Sequence, residues 1–189
     1  MSAHAFQLFD TAIGRCAIAW SARGVAALQL PETNARETRA RLLRRFPDAR
    51  EAPPPPEIAR ARDGVIALLR GEATDLSSVV LDDTRLPPFH RRVYEIARTI
   101  PPGATVSYGN IAARLGTPGA ARAVGQALGR NPFAIIVPCH RVLAAGGKAG
   151  GFSARGGVAT KLRLLALERP RASDAPTLFD DADPRLRPA

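Results

Sequence analysis

Proline and glycine cut this chain into short pieces, and that limits what it can fold into. No helix or strand runs through Pro53 to Pro56, Pro87-Pro88 or Pro101-Pro102-Gly103. Proline offers no amide donor and disfavours the helical conformation of the residue before it. The pieces between these breaks differ in period. Residues 6–10, 15–20 and 25–30 read as strands, with Gly14 and Gly24 in the turns. Residues 34–46 read as a helix that Asn34 caps, with Glu37 three residues on and Leu42, Leu43 and Phe46 on one face. A second helix covers residues 57–70 and stops at Gly71, and a further strand is expected over 76–81. This first part carries no visible chemistry.

Composition shifts at residues 82–88, which read as a linker. Beyond it the pattern is helical: a helix over 89–100 with Val93, Ile96, Ala97 and Ile100 on one face, then an extended Thr105-Val106. Ser107 is placed to cap a short helix over 108–115 that stops at Gly116. Thr117 is then expected to cap a helix that starts at Pro118 and runs to Leu128. Two short helices joined by a glycine-containing turn form a helix-turn-helix pattern. A glycine-rich loop follows over 146–157, then a last helix over 158–167 whose expected apolar face is Leu162, Leu165 and Ala166. Residues 171–189 are rich in Pro, Asp and Arg and read as a disordered tail. The expected division is an α/β (α+β) support domain over 1–83, a mainly helical domain over 84–169 and a tail over 170–189.

The net charge of +10 is unevenly placed. Residues 85–169 hold 13 basic and 2 acidic side chains, and the remainder is close to neutral. A segment so cleared of acids fits a polyanion-binding domain joined to a neutral one. Phosphate binding of this kind carries little sequence preference and weakens with salt. No apolar run is long enough to span a bilayer, and the start of the chain lacks the pattern of a secretion signal. No membrane role is expected, and a cytoplasmic, nucleoid-associated location is. Cys16 and Cys139 make neither a disulfide framework nor a zinc signature with the three histidines. No metal and no cofactor is expected.

Cys16 lies inside a strand and reads as a small core residue. Cys139 stands differently. It follows the apolar run Ala134-Ile135-Ile136-Val137 and Pro138, at an expected strand-to-turn junction, with His140 beside it. A thiol paired with an imidazole is a nucleophile paired with a base. Neighbours in a straight strand point to opposite faces, so the pair needs a turn or a bridging water to cooperate. Glu168 is the only acid between Glu95 and the tail, which makes it the candidate to orient His140.

The segment NPFAIIVPCHRV, from Asn131 to Val142, closely resembles the active-site signature of the methylated-DNA–protein-cysteine methyltransferases, the O6-alkylguanine-DNA alkyltransferases. The match extends upstream through TVSYGNIAARLG and AARAVGQALGRNP, and downstream through GGFSARGGVATKLRLLALE. It covers residues 89–168. The resemblance implies a small ribonuclease H-like sheet-plus-helix domain followed by a winged helix-turn-helix-like domain.

It also implies roles. Cys139 takes the alkyl group from O6 of guanine in one irreversible step. His140 withdraws its proton through a water, and Glu168 holds His140. Sulfur suits S-alkylation, and the thioether product has no hydrolysable bond, so the protein acts once. Tyr108 donates a proton toward N3 of the departing guanine, which improves the leaving group. Arg122 fills the gap left when the base leaves the stack. Ala121, Ala123 and Gly125 let the helix approach the minor groove closely. Asn131 is the hinge between the DNA-binding helices and the active-site turn. The Val142 carbonyl takes the exocyclic amine, and Ser153 in the loop donates to O6. Ser107, Thr117 and Arg141 are expected at the DNA. The partner is double-stranded DNA containing O6-alkylguanine, with O4-alkylthymine a further substrate, met by a monomer.

Other readings stay open on the sequence. A non-reacting alkyltransferase-like binder of alkylated DNA would lack the reactive cysteine, which is present here. A thiol hydrolase built on Cys139, His140 and Glu168 would need an oxyanion hole. A winged-helix regulator would leave the PCHR segment unexplained. Thr177-Leu178-Phe179-Asp180 in the tail loosely resembles short peptides that bind a sliding clamp.

Overall fold

The computed structural model describes residues 4–169. The expected tail and its clamp-like tetrapeptide lie outside the described residues. The chain forms a small sheet flanked by two helices, followed by a mainly helical part. Strands β1 (Ala5–Thr11), β2 (Gly14–Ser21) and β3 (Gly24–Gln29) form an antiparallel meander. A short β4 (Arg50–Glu51), not expected from the sequence, pairs parallel to β1, so the sheet order is β3-β2-β1-β4. Alternation along β2 assigns its two faces. Ala17 and Ala19 point toward helix α1 (Ala35–Arg45), in a cluster with Phe6, Ala27 and Leu42. Cys16, Ile18 and Trp20 point the other way, toward α2 (Pro56–Leu69) through Ile58, Ala61, Val65 and Leu68. Asn34 caps α1 by accepting from the Glu37 amide at 3.0 Å, an interaction worth about 1 kcal/mol.

Residues 76–81 do not form the expected strand. Their carbonyls have another partner: the Arg98 guanidinium donates to Leu76, Ser77 and Val79 at 3.2, 2.5 and 2.7 Å. Only Leu81 makes a bridge, to Val25, and Val80 is left 68% exposed. The next residue, Asp82, accepts from Ser21, Arg23 and Thr84. Burial raises its carboxyl, but these bonds more than offset that and hold it at about 2.

Pro88 takes the first position of α3 (Pro88–Arg98), where its missing amide costs nothing. Val93, Tyr94 and Ala97 are its buried face, and the Tyr94 hydroxyl donates to the Ala127 carbonyl at 2.8 Å. Ser107 forms a capping box with Asn110 at the start of α4 (Tyr108–Arg114). Helix α5 (Ala121–Gly129) begins later than expected, and Thr117 is not its cap. Residues 117–120 close a β-turn instead, with the Ala120 amide on the Thr117 carbonyl at 3.0 Å. Pro118 and Gly119, at φ +95°, supply the central pair that a type II turn demands. Strands β5 (Val106–Ser107) and β6 (Val142–Leu143) pair in parallel, and α6 (Val158–Leu167) closes the described chain.

Helix α6 is rotated from the face its sequence suggests, and of that face only Leu165 is half-buried. Leu162 is 52% exposed and Ala166 is exposed, while Lys161 and Leu164 are buried. Lys161, Leu164 and Glu168 share one face at helical spacing. The two charged ends find partners inside, and that decides the rotation.

Candidate active site

The run from Ala134 to Val137 is a tight turn rather than a strand. Asn131 clasps it from both sides: its Oδ1 accepts from the Phe133 amide at 2.9 Å, and its Nδ2 donates to the Val137 carbonyl at 2.8 Å. Ile135, buried at 2%, has a φ of +70°, a left-handed conformation that a β-branched side chain rarely adopts. The turn delivers Pro138 and then a single 3-10 turn, Cys139–Arg141. That turn supplies the break from strand geometry that cooperation between Cys139 and His140 requires.

Cys139 is half-buried, and its thiol faces a cavity of about 520 Å³. Arg122 and Gly125 of α5, Tyr108 of α4, and Phe152 and Ser153 of the glycine-rich loop line the same cavity. Arg122 and Ser153 are exposed, and Ala121, Ala123 and Gly125 are partly so. Tyr108 stands between two glycines. A Cβ on Gly125 would come within 3.8 Å of its ring, and one on Gly150 within 3.4 Å of its hydroxyl. Burial and the neighbouring Cys139 push the Tyr108 phenol up, so it keeps its proton at neutral pH. Burial pushes the Cys139 thiol up as well, and Asn131 and the Lys161 charge pull it back only part of the way. The resting group is therefore a thiol, which needs a base.

Behind Cys139, His140 is 1% exposed, and its Nε2 lies 2.7 Å from Glu168 Oε1. Arg141 donates to the same carboxylate through Nε at 2.9 Å and an Nη at 2.8 Å. Burial raises the Glu168 carboxyl, but its bonds to His140 and Arg141 outweigh this and hold it at about 2. An ionised carboxylate only accepts, so Nε2 carries the imidazole proton and Nδ1 carries the lone pair. That Nδ1 is buried and has no hydrogen-bond partner among the described residues. Burial holds the His140 imidazole below its usual value despite Glu168, which keeps it neutral and able to accept a proton.

One expectation changes here. Arg141 does not face outward toward a nucleic acid. It is 5% exposed, paired with Glu168 and bonded to the Ile100 carbonyl at 2.5 Å. The Val142 carbonyl already has a donor, the ammonium of the fully buried Lys161 at 2.6 Å. Lys161 also lies 5.7 Å from the centre of the Tyr108 ring. The sequence reading passed over Lys161. The signal it left was a basic residue seven positions before Glu168, and so on the same helical face. Ser107 and Thr117 lie at the start of α4 and in the turn after it, with the Ser107 hydroxyl engaged in its capping box.

The family model of the 6-O-methylguanine DNA methyltransferase, DNA binding domain, matches residues 88–170. The chain is 48% identical to the methylated-DNA–protein-cysteine methyltransferase of Mycobacterium tuberculosis (strain ATCC 25618 / H37Rv) over 128 residues, covering 68% of this chain and 75% of that protein. The chain belongs to the methylated-DNA–protein-cysteine methyltransferase family. Its fold agrees over nearly its whole length. The crystal structure of the Mycobacterium tuberculosis O6-methylguanine methyltransferase superposes with a TM-score of 0.73 at 39% identity, covering 94% of this chain and 99% of that one. A crystal structure of the same organism's OGT in complex with DNA gives 0.71 at 39% identity, covering 87% and 92%. A methyltransferase of this family serves direct-reversal DNA repair, with a cysteine of the protein as the acceptor. Among the described residues no group of three or more His, Cys, Asp or Glu comes together as a metal site, and no helix is long and apolar enough to cross a membrane.

Proposed function

We propose that Cys139 is the acceptor and that it takes the alkyl group from O6-alkylguanine in duplex DNA. The observation that carries this reading is the half-buried Cys139 thiol opening into a cavity shared by Tyr108 and Arg122, backed by His140 and Glu168. The transfer is one displacement. A Cys139 Sγ–carbon bond forms, the carbon–O6 bond breaks, and the guanine leaves. The thiol proton passes through a water toward His140 Nδ1, and Glu168 stabilises the imidazolium that results. The Tyr108 phenol delivers a proton to N3 of the base as electron density moves onto the ring. Asn131 holds the turn that carries Cys139. The Val142 carbonyl has a second lone pair for the exocyclic amine beside the one Lys161 uses, and Ser153 on the cavity rim donates to O6.

Entry of a base into this cavity requires that it leave the stack. Arg122, exposed on α5 at the cavity mouth, fills the gap, and the small residues around it allow close approach in the minor groove. O4-alkylthymine would enter by the same route. The protein acts as a monomer, in the compartment that holds the DNA. The sheet order with one parallel edge strand supports a ribonuclease H-like first domain over 1–83. The α4–α5 pair with the β5–β6 ladder supports a winged helix-turn-helix-like second domain over 84–169.

Intact-protein mass spectrometry after mixing with an O6-methylguanine duplex tests the reading. One methyl group per chain, mapped to Cys139 and absent from Cys139→Ser, is expected. Tight binding to the duplex without mass gain would make the chain a non-reacting binder.

A further inference from the structure

A second concavity, of about 370 Å³, lies between α1 and the end of α5. Four arginines line it: Arg41, Arg44 and Arg45 from α1, and Arg130 from the residue that ends α5. All four are exposed. The sequence assigned the basic excess to the second half of the chain, yet α1 itself carries five arginines and one glutamate. Arg41 has a partner in Glu32 at 3.0 Å. Arg44, Arg45 and Arg130 have no ion pair among the described residues.

The ordinary explanation is that arginines in a last turn offset the negative end of a helix. Two helix ends supply about half a negative charge each. Adding Glu32, four guanidinium groups still leave a charge of about +2. The cleft also adjoins the catalytic cavity, because Gly129 and Ser153 line both. A strand whose nucleotide reaches Cys139 therefore carries its neighbouring phosphates past this rim.

We propose that the arginine cleft is a phosphate-binding surface that extends the duplex interface onto the N-terminal domain and takes the backbone flanking the extruded nucleotide. This rests on the reading that the base enters the Cys139 cavity. It gives the N-terminal domain a direct part in binding DNA.

The test is a salt series of binding to a fluorescent, lesion-free duplex with the full chain. Each phosphate contact contributes about 0.9 to the slope of log affinity against log salt. Arg44→Ala/Arg45→Ala is expected to lower that slope by about 2. Between 50 and 200 mM salt the wild type then loses about tenfold more affinity than the variant. Arg130→Ala is expected to lower it by about 1 in a chain with unaltered circular dichroism. Arg60→Ala/Arg70→Ala, exposed on α2 and at the residue that ends it, across the sheet from α1, removes the same charge and is the control. An unchanged slope in the double variant, or an equal fall in the control, overturns the cleft while leaving the transfer reading intact. No duplex binding by the wild type overturns both.

Discussion

Replacing Glu168 by Gln separates charge from shape at the centre of the site. The side chain is 3% exposed, and its carboxylate meets His140 at 2.7 Å and Arg141 at 2.8 Å. A carboxyl held at about 2 against an ordinary 4.5 contributes on the order of 3 kcal/mol at neutral pH. Gln also leaves the Arg141 guanidinium buried without a counter-charge, and losing one partner of a buried pair costs about 3–5 kcal/mol. The two routes agree, so the variant is expected to lose about 3 kcal/mol. The pH dependence has a definite sign. A depressed carboxyl stabilises fully above pH 4.5, and that stability is lost as pH falls toward 2, because the unfolded chain takes the proton first. The gap between wild type and variant therefore narrows across that window. His140 acts in the opposite sense at higher pH, since without Glu168 its imidazole is harder to protonate in the folded chain. The carboxyl's own contribution to the comparison falls between pH 4.5 and 2. Urea unfolding followed by far-ultraviolet circular dichroism reads it. A gap that stays constant there, or a variant as stable as wild type at neutral pH, refutes the argument.

Other outcomes follow from the same geometry. Iodoacetamide should add to Cys139 and not to Cys16 in the folded chain, because Cys16 is fully buried and its thiol is pushed up to about 12; equal labelling by peptide mass spectrometry would contradict this. Lys161→Met removes the cation facing Cys139 and leaves the Val142 carbonyl without its donor, at a cost of about 1–3 kcal/mol. Its thiol should titrate higher, moving the alkaline limb of the pH–rate profile for transfer from free O6-benzylguanine upward; an unmoved profile removes Lys161 from the electrostatics of the thiol. Arg122→Ala should change stability by less than about 0.5 kcal/mol, since the side chain is exposed. It should slow transfer from duplex far more than transfer from the free base; equal slowing would mean that Arg122 does not fill the stack.

Local chemistry was legible in the sequence wherever one residue sets the geometry of its own neighbourhood. Asn34 and Ser107 cap the helices they announce. The alternation in β2 sorts its side chains onto two faces, and the lone acid Glu168 reaches His140. What escaped depends on partners distant in the chain. Residues 76–81 end in the apolar run Val79-Val80-Leu81, but Arg98 takes the Leu76, Ser77 and Val79 carbonyls a strand would have used. Arg141 reads as a surface cation until Glu168 and Ile100 meet it. Leu162 and Ala166 read as part of an inward face until Lys161 and Glu168 claim that direction.

The catalytic turn is the sharpest of these cases, because its local preferences oppose its structure. Ala134-Ile135-Ile136-Val137 has the composition of a buried strand, and a left-handed Ile135 costs on the order of 1–3 kcal/mol. The turn persists because several contacts fix it together. Asn131 bonds to both of its ends, and the Val137 amide reaches the Phe133 carbonyl at 2.8 Å. Ile135 itself is buried at 2%. A strand here would have carried Cys139 and His140 to opposite faces. Bending the chain through Ile135 lets one short segment place the thiol in the cavity mouth and the imidazole against Glu168 behind it. The strain thus stands at the point where the arrangement of nucleophile and base requires a departure from what the residues prefer.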